Sequence, residues 1–270
     1  MMIKDQDEVH YFFLVRGLIR SRFHWHTFPQ TLSQYLSSHN INHQIILFDI
    51  AGNGKRHGET TPMSIEAMAD DLLNQVDLAI FNAVKTKHAK ARLHLVGISM
   101  GGMIFSQLAR KLSSLNRPAS SLHIINSSFS NVARFWQRMK IPAALSLLCN
   151  FRVARKRERC ILHWTSNLSS RQQYSRLWIE EAIKHPLTLR NGLAQLVAAF
   201  RFKIPAKPAP YSFVYASFHD RLVDFACSKK IASDWQVPLA VELTAGHDLS
   251  LDAPQWLAEQ IVENTLITLD

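Results

Sequence analysis

The chain has 270 residues, 47% of them hydrophobic, and a formal net charge of +10. That length can bury the core of one large domain or of a domain with an inserted lobe. No apolar run approaches the roughly 18 to 20 residues that span a bilayer, and the polar, charged residues 1–9 do not read as a secretory signal, so a soluble cytoplasmic protein is expected.

Residues 9–15 (Val-His-Tyr-Phe-Phe-Leu-Val) form a short apolar and aromatic run that reads as a central strand ending at Arg16-Gly17-Leu18. A helical pattern over 24–38 follows, with Pro29 implying a late start or a first-turn position. The next strand, 44–48, closes on Asp49-Ile50-Ala51-Gly52-Asn53-Gly54, and a helix capped by Ser64 runs to about Phe81. An apolar strand then breaks at Gly97-Ile98-Ser99-Met100-Gly101, and helical spacing resumes over 100–112. Residues 121–126 read as a fourth strand.

From 127 to 207 the spacing is helical throughout. Past a proline-rich re-entry linker at 205–210, strands are expected over 211–216 and 239–243, with helices near 226–235 and 255–263. Strands alternating with helices predict an α/β fold, a doubly wound and mostly parallel sheet. The core then comprises 1–126 and 208–270, and 127–207 is an inserted all-helical lid.

Only nine glycines occur, and eight of them (Gly17, Gly52, Gly54, Gly58, Gly97, Gly101, Gly102 and Gly246) fall in four short clusters at expected strand ends. Such placement suits tight turns and close backbone approach. The cysteines Cys149, Cys160 and Cys227 are odd in number and lack metal-type spacing, which favours a reducing compartment over a disulfide framework. No metal or cofactor is expected.

Gly97-x-Ser99-x-Gly101 between a strand and a helix is the pattern of a nucleophile elbow, a turn so sharp that neighbours without a Cβ are needed. A serine hydroxyl needs a base, and the base a carboxylate to fix its tautomer. Asp220, after the fifth strand, and His247, after the sixth, supply these types in the order Ser, Asp, His. Asp224 competes with Asp220, which lies nearer the strand end. The two amides of an oxyanion hole are expected from Met100 and from Leu18.

These stretches, with Asp220-Arg221-Leu222-Val223 and Gly246-His247-Asp248 extending to Ala253-Pro254, resemble the α/β-hydrolase superfamily along nearly the full chain, in particular lid-bearing bacterial serine esterases. The plan is also similar to the pimeloyl-carrier methyl esterases, which bear an arginine-containing helical lid. Family members commonly carry His-Gly where Arg16-Gly17 stands here and Gly where Ser217 precedes the acid. Arg16 either pairs with a carboxylate such as Asp49 or binds an anionic substrate group, and Ser217 stiffens its turn. Epoxide hydrolases and haloalkane dehalogenases of this fold use an aspartate nucleophile, so serine at 99 indicates acyl transfer.

The basicity is local. Residues 127–207 hold fifteen Lys and Arg against three Glu, a net +12, which leaves −2 for the rest. A field of one sign attracts anionic partners, here an acidic carrier protein or acyl-CoA-type substrate first, an anionic membrane surface second and nucleic acid last. The apolar stretch 141–149, beside Phe135 and Trp136, is expected to pack on the core or to line an acyl pocket. The chain therefore reads as a serine carboxylesterase acting on an apolar acyl ester. The alternatives are a thioesterase or carrier-linked esterase docking through Arg152, Arg155 and Arg159, and a binding protein on a retired hydrolase fold.

Overall fold

Along Glu8–Val15 (β1) the side chains of Tyr11, Phe13 and Val15 enter one buried cluster while Phe12 and Leu14 enter another. An apolar side chain at every position is what a strand covered on both faces requires. In the computed structural model, which describes residues 8–87, 90–203 and 206–269, β1 is joined by β2 (His43–Phe48), β3 (Lys90–Ile98), β4 (Ser121–Ile125), β5 (Ser212–Ser217) and β6 (Leu239–Glu242). All pairings are parallel, in the order β2-β1-β3-β4-β5-β6. Residues 1–7 of the polar N-terminal stretch and Pro205 of the linker lie outside the described residues.

Helices α1 (Phe28–Ser38) and α11 (Pro254–Ile267) cover one face, and α2 (Ile65–Lys87), α3 (Met100–Ser114) and α9 (Phe225–Trp235) cover the other. The helical pattern from His24 resolves into a 3-10 turn over Arg22–Trp25 and then α1, with Pro29 in the first turn, where its missing N–H costs nothing. Ser64 caps α2, its Oγ accepting from the Ala67 N–H at 3.1 Å. Between β4 and β5 the regular elements among the described residues are all helices: α4 (Phe135–Arg138), α5 (Ile141–Asn150), α6 (Ala154–Thr165), α7 (Gln172–Lys184) and α8 (Leu189–Arg201). A short α10 (Leu249–Asp252) precedes α11.

Residues 141–149 depart from the expectation of core packing. Ala143 is buried, but Ile141, Leu145 and Leu148 are 51%, 57% and 75% exposed. The stretch is apolar on two sides of α5, and only one side has the protein to face.

A buried polar ladder crosses four strands of the sheet. His10 Nδ1 meets His94 Nε2 at 2.9 Å, and His94 Nδ1 meets Ser121 Oγ at 2.7 Å. Ser121 Oγ meets His123 Nε2 at 2.7 Å, and His123 Nδ1 meets the Tyr215 hydroxyl at 2.7 Å. Asn264 Nδ2 donates to that hydroxyl at 3.0 Å. The tyrosine therefore directs its own proton to His123 Nδ1, which fixes every later donor in the same sense, through His94 Nε2–H to His10. All three imidazoles are then neutral, and burial pushes His123 down to about 3.

Candidate active site

Register places Val15 of β1 beside Gly97 of β3, so the turns after these two strands emerge side by side at the carboxyl edge. This is the point where successive connections leave to opposite sides, the usual crevice of an open α/β sheet. Ser99 sits on the turn from β3 into α3 with φ 56° and ψ −121°. Left-handed φ at a non-glycine residue stores strain and lifts the side chain clear of the sheet. The turn tolerates no side chain two residues to either side of Ser99: a Cβ on Gly97 would lie 2.5 Å from the Gly101 carbonyl, and one on Gly101 would lie 2.5 Å from the Val15 oxygen. The Ser99 N–H donates to the Ile125 oxygen at 2.8 Å, and its carbonyl accepts from Ser127 Oγ at 2.7 Å.

Asp220 and His247 meet in the loops after β5 and β6. His247 Nδ1 lies 2.7 Å from Asp220 Oδ2, with both side chains buried. Asp220 Oδ1 accepts from the Leu222 and Val223 N–H groups at 2.7 and 2.9 Å, which fixes the carboxylate plane. A proton held at Nδ1 for Asp220 leaves the Nε2 lone pair as an acceptor. Asp224 instead caps α9, its Oδ1 accepting from the Ala226 N–H at 2.9 Å.

Ser99 and His247 line one cleft with Gly17 and Leu18. A second lobe is lined by Leu18, Ser99 and Met100. The lobes share Leu18, Ser99, Met139 and Leu222, so Ser99 stands at their junction. Leu147, Ile161 and Trp164 make the first lobe apolar, and Met103, Leu196 and Phe200 the second. The Met100 N–H opens α3 and so has no partner within that helix.

The guanidinium of Arg16 lies on Asp248, not on Asp49. Nη1 and Nη2 reach the two Asp248 oxygens at 2.9 and 2.6 Å, and Nη1 donates to Ser250 Oγ at 2.6 Å. Asp49 turns inward to its own neighbourhood, accepting from the Arg22 and Lys55 N–H groups at 2.7 and 3.0 Å. Burial would raise the Asp248 carboxyl, but the Arg16 charge and hydrogen bonds, aided by Ser250, hold it below its ordinary value. Arg16 also stacks over Trp25, 5.1 Å from the ring centroid.

Several supporting residues carry no local sequence signal. Gln195 of α8, fully buried, accepts the Ile19 N–H at 2.8 Å and donates to Asn53 Oδ1 at 2.8 Å. Asn126 donates to the His247 carbonyl at 2.9 Å and to Ser217 Oγ at 3.0 Å, and accepts the Ser217 N–H at 2.8 Å. The Thr165 carbonyl, at the end of α6, accepts the Asp248 N–H at 2.8 Å. Helices between β4 and β5 thus hold both loops that flank Ser99. Arg138, held by the carbonyls of Phe200 and Ala199, adds a cation to the second lobe.

Among the described residues no group of three His, Cys, Asp or Glu side chains is placed to hold a metal ion. No helix among them is long and apolar enough to cross a membrane.

A sequence profile of the alpha/beta hydrolase family matches residues 12–260. No curated protein matches the chain at the sequence level. Solved structures with the same fold include a thermophilic esterase from Thermogutta terrifontis, with 19% identity, coverage of 96% of this chain and 90% of that one, and a TM-score of 0.64. A carboxylesterase of Nitrososphaera gargenis shares 14% identity, with coverage of 96% and 91% and a TM-score of 0.69. The thioesterase of the prodiginine pathway in Streptomyces coelicolor shares 12% identity, with coverage of 98% and 91% and a TM-score of 0.65.

Proposed function

We propose, from the premise that the chain belongs to the alpha/beta hydrolase family, that this hydrolase is a serine carboxylesterase acting on an apolar acyl ester. The observation that carries the reading is the strained Ser99 at the junction of two apolar lobes, in a cleft it shares with a His247 bonded to Asp220. Two apolar lobes suit the two sides of an ester, the acyl chain in one and the alcohol in the other. Residues 127–207 act as the lid over the core formed by 1–126 and 208–270.

In this reading Ser99 Oγ attacks the acyl carbon while His247 Nε2 takes its proton. The carbonyl electrons move to oxygen, and the Leu18 and Met100 N–H groups hold the oxyanion. When the carbonyl re-forms, the C–O bond to the alcohol breaks and His247 returns the proton to the leaving oxygen. Water then repeats the sequence on the acyl-enzyme and releases the acid. Asp220 keeps Nδ1 protonated throughout. Arg16, tied to Asp248, braces the two loops rather than binding substrate. The unpaired Cys149, Cys160 and Cys227 support a reducing, cytoplasmic setting.

A second reading keeps the chemistry and changes the leaving group to a thiol, as in a thioesterase or carrier-linked esterase. The exposed Arg152, Arg155 and Arg159 favour it, since they would meet an acidic carrier. A panel of p-nitrophenyl esters and acyl thioesters of graded chain length, run on wild type and Ser99→Ala, tests both. Turnover of esters over thioesters, abolished in Ser99→Ala, is the expected result. Undiminished turnover in Ser99→Ala would remove Ser99 as nucleophile and reopen a binding role for the fold.

A further inference from the structure

From Arg134 to Arg159 every exposed side chain is either apolar or cationic. The apolar ones include Phe135, Trp136, Ile141, Leu145, Leu148 and Val153, between 42% and 75% exposed. The cations are Arg134, Arg152, Arg155, Lys156 and Arg159. The single acid of the stretch, Glu158, is buried and paired with Arg20 at 2.6 Å and Arg157 at 3.0 Å. No exposed carboxylate falls within the stretch.

The arrangement on α5 is periodic. Ile141, Leu145 and Leu148 share one outward face at helical spacing, while Ala143 is buried and Leu147 lines the cleft. Met139, just before α5, lines both lobes. The outer surface of α4 to α6 is therefore the back of a wall whose inner side is the candidate active site.

We propose that the outer surface of α4, α5 and the start of α6 docks on an anionic lipid bilayer. An apolar helical face flanked by Arg and Lys, with an exposed Trp, is what an interfacial helix presents to acyl chains and headgroups together. Basic side chains near an anionic leaflet each strengthen binding about fivefold, and apolar ones enter the headgroup boundary. A second copy of this chain is disfavoured as the occupant, because two-fold pairing sets these five cations against the same five. An acidic protein would satisfy the cations but leaves the outward row of Ile141, Leu145 and Leu148 without hydrocarbon. Docking here puts the cleft at the lipid surface, where apolar acyl esters concentrate. The proposal rests on the surface alone and stands whether or not Ser99 is the nucleophile.

The test is co-sedimentation of the full chain with vesicles of ether-linked lipids, which an esterase does not cleave at the acyl positions. One set is phosphatidylcholine alone, the other equal parts phosphatidylcholine and phosphatidylglycerol. Wild type is expected to sediment with the anionic vesicles and not with the neutral ones, and high salt weakens the binding. Arg152→Glu/Arg155→Glu/Arg159→Glu loses about 100-fold in partitioning, at the fivefold per side chain given above. Leu145→Glu/Leu148→Glu and, separately, Phe135→Ser/Trp136→Ser also lose binding. Each variant changes exposed residues, and an unchanged melting temperature certifies its fold. Wild type that stays in the supernatant with anionic vesicles at low salt overturns the proposal. So do leucine and aromatic variants that bind like wild type, which would mark charge-only attraction to an acidic partner. A wild-type dimer in sedimentation velocity that Leu145→Glu/Leu148→Glu dissociates overturns it in favour of a second copy.

Discussion

The carboxylate of Asp248 and the guanidinium of Arg16 form a buried two-pronged pair with contacts of 2.9 and 2.6 Å. Arg16 immediately precedes the Gly17-Leu18 loop, and Asp248 immediately follows His247. One ion pair therefore ties the loop of Leu18, the proposed oxyanion donor, to the loop of His247, the proposed base. Asp248→Asn or Arg16→Met leaves a buried charge without its partner and is expected to lower stability by about 3 to 5 kcal/mol. Urea denaturation reads that loss. Restoration of neither stability nor turnover is expected from Arg16→Lys, because a point charge cannot reproduce the fork.

Gln195 reaches from α8 to the Ile19 N–H at 2.8 Å, and Ile19 holds φ 52°. The hydrogen bond keeps a strained backbone in the shape that presents Leu18. Removing it in Gln195→Leu is expected to lower kcat roughly tenfold, about the worth of one buried hydrogen bond, with KM little changed. An effect confined to KM would assign Gln195 to substrate binding instead.

Gly17 faces Ser99 closely, and a Cβ there would lie 2.9 Å from the Ser99 Cβ. Gly17→Ala must displace either Ser99 or the loop, so it is expected to depress kcat while leaving a folded protein. Gly101→Ala, in the first turn of α3, meets the backbone oxygens of Val15 and Arg16 at the end of β1, where nothing can yield cheaply, and is expected to destabilise by about 1 to 3 kcal/mol. Thermal melts of the two variants side by side separate these outcomes.

The polar ladder makes stability pH-dependent. His123 is held near 3 by burial, while the same side chain in the unfolded chain titrates near 6.5. Between those values the unfolded state binds a proton that the folded state refuses, so stability is full above about 6.5 and is lost as pH falls towards about 3. His94 is pushed well below its ordinary value by burial, so it acts in the same direction. Denaturation midpoints measured from pH 7.5 to pH 5 are expected to fall, and His123→Gln, though less stable at neutral pH, is expected to show a shallower slope. An unchanged slope would remove His123 from the account.

Strand and helix order could be read from the chain because the buried parallel strands are mostly apolar and β1, β2, β3 and β6 have glycine at or just past their ends. Glycines mark the turns that carry Ser99 and His247, which line one cleft, whereas residue type and order alone mark Asp220, which is hydrogen-bonded to His247. Asp224 and Asp220 could be told apart only in outline from position; the helix cap at Ala226 gives the physical difference. What sequence could not reveal is set by long-range packing. Arg16 could equally have met Asp49 or Asp248, and the choice depends on Asp49 being satisfied by the Arg22 and Lys55 amides. Gln195 and Asn126 act across 176 and 121 residues, to Ile19 and His247, and no local pattern marks them. The outward face of α5 is not legible in the sequence, because an apolar residue announces burial without saying whether protein is what buries it.

The central claim, that Ser99 is a nucleophile activated by His247, is tested most directly by the covalent adduct with a fluorophosphonate, located by mass spectrometry of the digested protein. Wild type is expected to gain a single adduct on the peptide carrying Ser99, Ser99→Ala none, and His247→Gln an adduct only at a rate at least about 100-fold lower, the scale of general-base assistance. Labelling at another residue, or labelling of Ser99 at the same rate in His247→Gln, would contradict it.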